Sequence, residues 1–132
     1  MRYMLLMTGT RAGVDNYRAW SDQDIQAHFA YLKNLNRELT ESGEFVATEP
    51  LGLPQHAVTV RAGKDGVPVT DGIFPESKEF LLGYWIVDVE SHERACAIAA
   101  RLSAGPGPGG VPTNMPIEVR QLMTSKTASD LP

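Results

Sequence analysis

The chain has 132 residues, 42% hydrophobic and 21% charged, with a formal net charge of −4. That length suits one domain with its own core, and the apolar fraction is that of an ordinary globular protein. Lys and Arg are scattered, which argues against a nucleic-acid partner, and no apolar run approaches the roughly 20 residues that span a bilayer.

The apolar stretch near the N-terminus, Tyr3 to Met7, is shorter than the roughly 7–15 residues of a signal-peptide core, so it reads as a buried first strand. Residues 8–20 are polar and contain Gly9, Gly13 and Asn16, so they read as a loop. Ser21 then offers an N-cap, with Asp24 three residues on. Ile25, Phe29, Leu32, Leu35 and Leu39 recur at helical spacing, opposite Gln26, Lys33, Arg37 and Glu41. This is an amphipathic helix, stopped at Gly43.

Phe45 to Thr48 is a second short strand, ended by Pro50. Ala57 to Arg61 is a third. Gly63-Lys64-Asp65-Gly66 is a turn, and Val67 to Thr70 returns as the hairpin partner. Pro68 marks that strand as an edge element. Residues 71–79 form a polar loop that feeds the apolar run Phe80 to Val89, a position where rigid scaffolds often mount binding groups. Ser91 caps a second helix with Ala95, Ile98, Ala99 and Leu102 inward. Gly105 to Gly110 is a connector, Ile117 to Leu122 a last strand, and residues 124–132 a tail expected to fray.

Two helices between strands, with no third helix evident, give an α+β, ferredoxin-like plan with an inserted β-hairpin. Helices on one sheet face leave the other bare. The expected cover is a second copy of the chain, burying Tyr84 or Trp85 and the inserted strands in a homodimer. A single cysteine, Cys96, cannot form an internal disulfide and reads as a buried, inert thiol on a small-residue helix face. Cytoplasmic residence is the expectation.

Asp71-Gly72-Ile73-Phe74-Pro75-Glu76-Ser77-Lys78-Glu79, followed by Gly83-Tyr84-Trp85-Ile86-Val87-Asp88-Val89, resembles the signature of the YCII-related family, in its DGPF branch. Tyr3-Met4-Leu5-Leu6, His28 and Pro116-Ile117-Glu118-Val119-Arg120 are similar as well. Ile73 stands where the signature has proline, so the turn is less stiff. The resemblance covers residues 1–123 as one domain and implies a dimeric α+β barrel. It implies little about activity, because the DGPF branch is largely without assigned function. Relatives in the wider family resemble small lyases or dehydrohalogenases that use a His–Asp pair.

Two residues are the catalytic candidates. His28 lies on or beside the helix stripe, and an imidazole works as acid or base near neutrality. The bland alternative is a half-buried histidine that only bonds to the sheet. Asp71 could hold His28 in one tautomer, as carboxylates do, or it is simply a turn former before Gly72. Lys78, Ser77, Glu76 and Tyr84 are the candidate substrate-binding residues. Lys78 would meet an anionic substrate or offset an enolate; otherwise it is a solvated charge between Ser77 and Glu79. Glu76 and Glu79 are acids or bases, or partners of Lys78. No arrangement activates Ser77 as a nucleophile. His28, His56 and His92 lack ligand spacing, so no metal site is expected.

Two functions remain open. One is proton-transfer chemistry of lyase, dehydrohalogenase or isomerase type on a small molecule, which needs no cofactor. The other is a non-catalytic ligand-binding or regulatory module beside a signalling or transcription partner. An enclosed pocket holding His28 and Asp71 would favour the first, and a collapsed site the second.

Overall fold

The structure is a computed structural model and describes residues 1–72 and 79–123. In chain order the long elements are β1 (Arg2–Gly9), α1 (Arg11–Arg18), α2 (Asp22–Glu41), β2 (Phe45–Pro50), β3 (Val58–Ala62), β4 (Pro68–Gly72), β5 (Phe80–Asp88), α3 (His92–Ser103) and β6 (Ile117–Gln121). Four strands form one sheet in the order β2-β5-β1-β6, antiparallel throughout. β5 lies between β1 and β2, and β1 lies between β5 and β6. Each helical crossover therefore skips one strand, which is the ferredoxin-like α+β arrangement.

Alternation decides which residues of the central strands meet the helices. Tyr3 and Leu5 of β1, with Trp85 and Val87 of β5, point inward to Leu35 and Leu39 of α2 and to Ala95, Ile98, Ala99 and Leu102 of α3. Both helices thus cover one face. The intervening residues Met4, Leu6, Leu82, Tyr84 and Ile86 fall on the other face and are only half-buried. Trp85 is a core residue whose indole N–H donates to Asn36 Oδ1 at 2.9 Å. Of the two aromatics expected at a subunit interface, only Tyr84 is on the face that could form one.

Local chemistry sets the helix limits. The Ser21 and Ser91 hydroxyls accept from the Asp24 and Arg94 amides, each at 3.1 Å. After α2, Gly43 turns at φ +79°. The Glu44 and Gly43 amides then donate to the Leu39 and Thr40 carbonyls, closing the left-handed stop that glycine favours. The tail expected over residues 124–132 lies outside the described residues.

Three expectations need correction. Residues 8–20 are not a loop: β1 extends to Gly9, and α1 follows, started by Thr10 Oγ1, which accepts from the Gly13 amide at 3.0 Å. Gly13 and Asn16 lower its intrinsic propensity, and it buries no residue, so no apolar stripe announced it. Phe29 is 54% exposed while His28 is 6% exposed, because positions 25, 28, 32, 35 and 39 form the inward row. Cys96 is exposed, not buried. It follows Ala95 by one step around α3, turning it away from the inward row.

Among the described residues β3 and β4 pair only with each other, and all ten of their residues are exposed. Opposed residues share a face. Val58, Val60, Ala62, Pro68 and Thr70 therefore make one apolar side, and Thr59, Arg61, Val69 and Asp71 the other.

Candidate functional site

His28 is held where the first third of α2 meets the loop after α3. Its Nδ1 lies 3.0 Å from the Pro106 carbonyl oxygen. A carbonyl only accepts, so Nδ1 carries the proton and donates it, and a neutral ring then has its lone pair on Nε2. Among the described residues Nε2 has no hydrogen-bond partner. A backbone carbonyl thus does the orienting that a carboxylate does in other histidine sites.

The Gly105-Pro106-Gly107 segment is shaped to the rings above it. A Cβ on Gly105 would come within 2.9 Å of His28 Cε1; one on Gly107 would sit in ordinary contact with Trp20 Cζ2, at 3.5 Å, and be crowded by the Val111 carbonyl, at 3.2 Å. The loop is pinned by bonds from the Gly107 amide to the Val111 carbonyl at 2.7 Å and from the Thr113 amide to the Gly105 carbonyl at 2.9 Å. Trp20 stands edge-on to His28, with ring centroids 5.6 Å apart at 83°, and Tyr17 of α1 packs on Trp20 at 4.9 Å. Burial pushes the Tyr17 phenol above its ordinary range, keeping it protonated. The Trp20 indole N–H is shut off from solvent and has no acceptor among the described residues.

The other candidates lie elsewhere. The Asp71 carboxylate accepts from Arg61 Nη1 at 3.0 Å, on the polar side of the β3–β4 ribbon. His28 and Asp71 thus have different partners. Tyr84 faces the helix-free side of the sheet. Glu76, Ser77 and Lys78 lie outside the described residues, as does most of the loop that carries the signature. His56 and Glu79 border an open cleft of about 510 Å³ with Leu51, Leu53, Phe80 and Leu81. On α3, Cys96 Sγ is 3.4 Å from His92 Nε2, beside a second open cleft against β6. Neither cleft includes His28 or Asp71.

Sequence reasoning missed Trp20, Gly105, Pro106 and Gly107. The available signal was a tryptophan directly before the N-cap Ser21, and two glycines flanking a proline where close backbone approach is needed.

The model of the YCII-related domain matches residues 1–117. The chain belongs to the YCII-related family. An uncharacterised protein of Rhizobium meliloti (strain 1021) is 33% identical over 92 residues, spanning 69% of this chain and 74% of that protein. In this YCII-related chain the match spans β1, β2 and β5 of the sheet, helices α1, α2 and α3, and the loop against His28, and ends at the first residue of β6. Among the described residues, no helix is long and apolar enough to cross a membrane.

Proposed function

We propose that this YCII-related protein is a homodimer that binds a small molecule beside His28 and moves a proton with that residue, in chemistry of lyase, dehydrohalogenase or isomerase type. The observation that carries the reading is the 3.0 Å contact between His28 Nδ1 and the Pro106 carbonyl, which selects the tautomer. Nδ1–H is committed to the Pro106 carbonyl, so a neutral Nε2 is an oriented base with no partner among the described residues. Pro106 takes the orienting role here, and Asp71 pairs with Arg61 on the exposed ribbon.

A second reading, a non-catalytic ligand-binding or regulatory module beside a signalling or transcription partner, draws on the clefts. Both are open and lined by neither His28 nor Asp71, so the enclosed His28–Asp71 pocket that would favour catalysis is not among them, which counts toward this reading. One experiment separates the two readings. Purified protein is screened by thermal shift against small carbonyl and carboxylate compounds, since a specific ligand raises apparent stability. Each hit is then incubated with enzyme in D2O, and deuterium uptake at carbon is followed by NMR. Proton transfer by His28 predicts uptake that falls roughly 10²–10⁴-fold in His28→Gln. Hits that bind yet take up no deuterium favour the module.

A further inference from the structure

Two polar atoms on two touching rings lack partners among the described residues: the Trp20 indole N–H, shut off from solvent, and His28 Nε2. A buried donor with no acceptor is destabilising, and native proteins leave few. One group can donate and the other can accept. That is the complement needed to remove a proton from carbon beside a carbonyl: a base for the proton and a donor for the oxygen that gains charge.

We propose that Trp20 is the hydrogen-bond donor of the His28 site and that the substrate class is an enolisable carbonyl compound. The inference rests on the proton-transfer reading of His28. His28 Nε2 takes the proton from the carbon next to the carbonyl. The C–H bonding pair becomes the new C=C, and the carbonyl π pair moves onto oxygen. The enolate oxygen accepts from the Trp20 N–H. Return of the proton from the imidazolium to carbon restores the base, so no oxidant or reductant is consumed. An indole suits this task because it can only donate and keeps its proton throughout.

The same cluster offers a route in. α1 buries no residue of its own, and Tyr17 on Trp20 is its aromatic contact with the site. Segments with few buried contacts open at the lowest free-energy cost.

The test uses carboxylates as stand-ins for the enolate oxygen. Protein labelled with ¹⁵N is titrated with acetate and with benzoate, and its two indole N–H signals are followed by NMR. Trp20→Phe, which keeps a ring at that position, assigns the Trp20 signal by its disappearance. The expected result is a saturable downfield shift of the Trp20 signal, accompanied by movement of the His28 ring signals, while the Trp85 signal, already bonded to Asn36, stays still. In Trp20→Phe the affinity for the same carboxylates falls at least tenfold. If the His28 ring responds and the Trp20 indole does not, Trp20 is no donor and this inference fails while the His28 site stands. If neither responds, the site itself is refuted and the inference with it.

Discussion

The ion pair between Glu44 and Arg94 sets a testable pH dependence at the scale of single residues. Arg94 Nε and Nη2 reach the two carboxylate oxygens of Glu44, each at 2.8 Å, and the glutamate side chain is 16% exposed. The hydrogen bonds from Arg94 hold the Glu44 carboxyl below its ordinary range. Burial opposes them, and the Ser42 hydroxyl and the charge of Arg94 assist. A depressed carboxyl pKa stabilises the fold at pH values above the ordinary glutamate range. That stability is lost as pH falls through the folded-state pKa. Glu44→Gln should therefore cost about 1–3 kcal/mol at pH 7 and progressively less as the solution is acidified. Urea unfolding of both proteins at pH 7 and at pH 3 checks this; an equal cost at the two pH values refutes it.

At the scale of elements, α2 and α3 differ from α1 in what anchors them. The two long helices share the core, and the Tyr31 hydroxyl donates to the Arg101 carbonyl at 2.7 Å. Glu38 and Arg101 form an ion pair across the same seam. The eight-residue helix α1 has a threonine cap and no buried side chain. Most helical stability comes from packing an apolar face, and a helix this short has little of its own. Amides of α1 should therefore exchange with D2O well before those of α3. Thr10→Ala should accelerate α1 further, by the roughly 1 kcal/mol that a lost cap costs, and leave α3 unchanged. Hydrogen exchange read by mass spectrometry decides it; α1 protected as strongly as α3 would overturn the assignment of low local stability.

At the scale of the whole molecule, the bare sheet face and the ribbon pose one problem. Val58 and Val60 are 62% and 56% exposed on the apolar side of the ribbon. A two-stranded hairpin is marginal by itself in water. The helix-free face presents half-buried Met4, Leu6, Tyr84 and Ile86. The proposed homodimer covers these surfaces with a second copy. Light scattering at micromolar concentration should give twice the 14.4 kDa chain mass. Tyr84→Asp combined with Val60→Asp should give a monomer that keeps its helical circular dichroism. A wild-type monomer mass defeats the dimer.

Much of this protein was legible in the order of its residues. Serine caps, a glycine stop, alternating strands and a helical apolar row are local signals, each acting within a few positions along the chain. They set α2, α3, the succession of strands and helices along the chain and, through it, the ferredoxin-like plan. His28 was legible as a candidate because it shares the inward row of α2. Its partner was not. The Pro106 carbonyl lies 78 positions away in the chain, and a backbone acceptor carries no side-chain signature. Asp71 looked like the natural carboxylate because its residue type fits, yet the ribbon register brings it to Arg61. The choice between Tyr84 and Trp85 was likewise settled only by the pleat, which turned the larger ring onto α2. Local pattern thus determined the elements; long-range packing determined which polar groups meet, because that depends on where distant loops close over a helix.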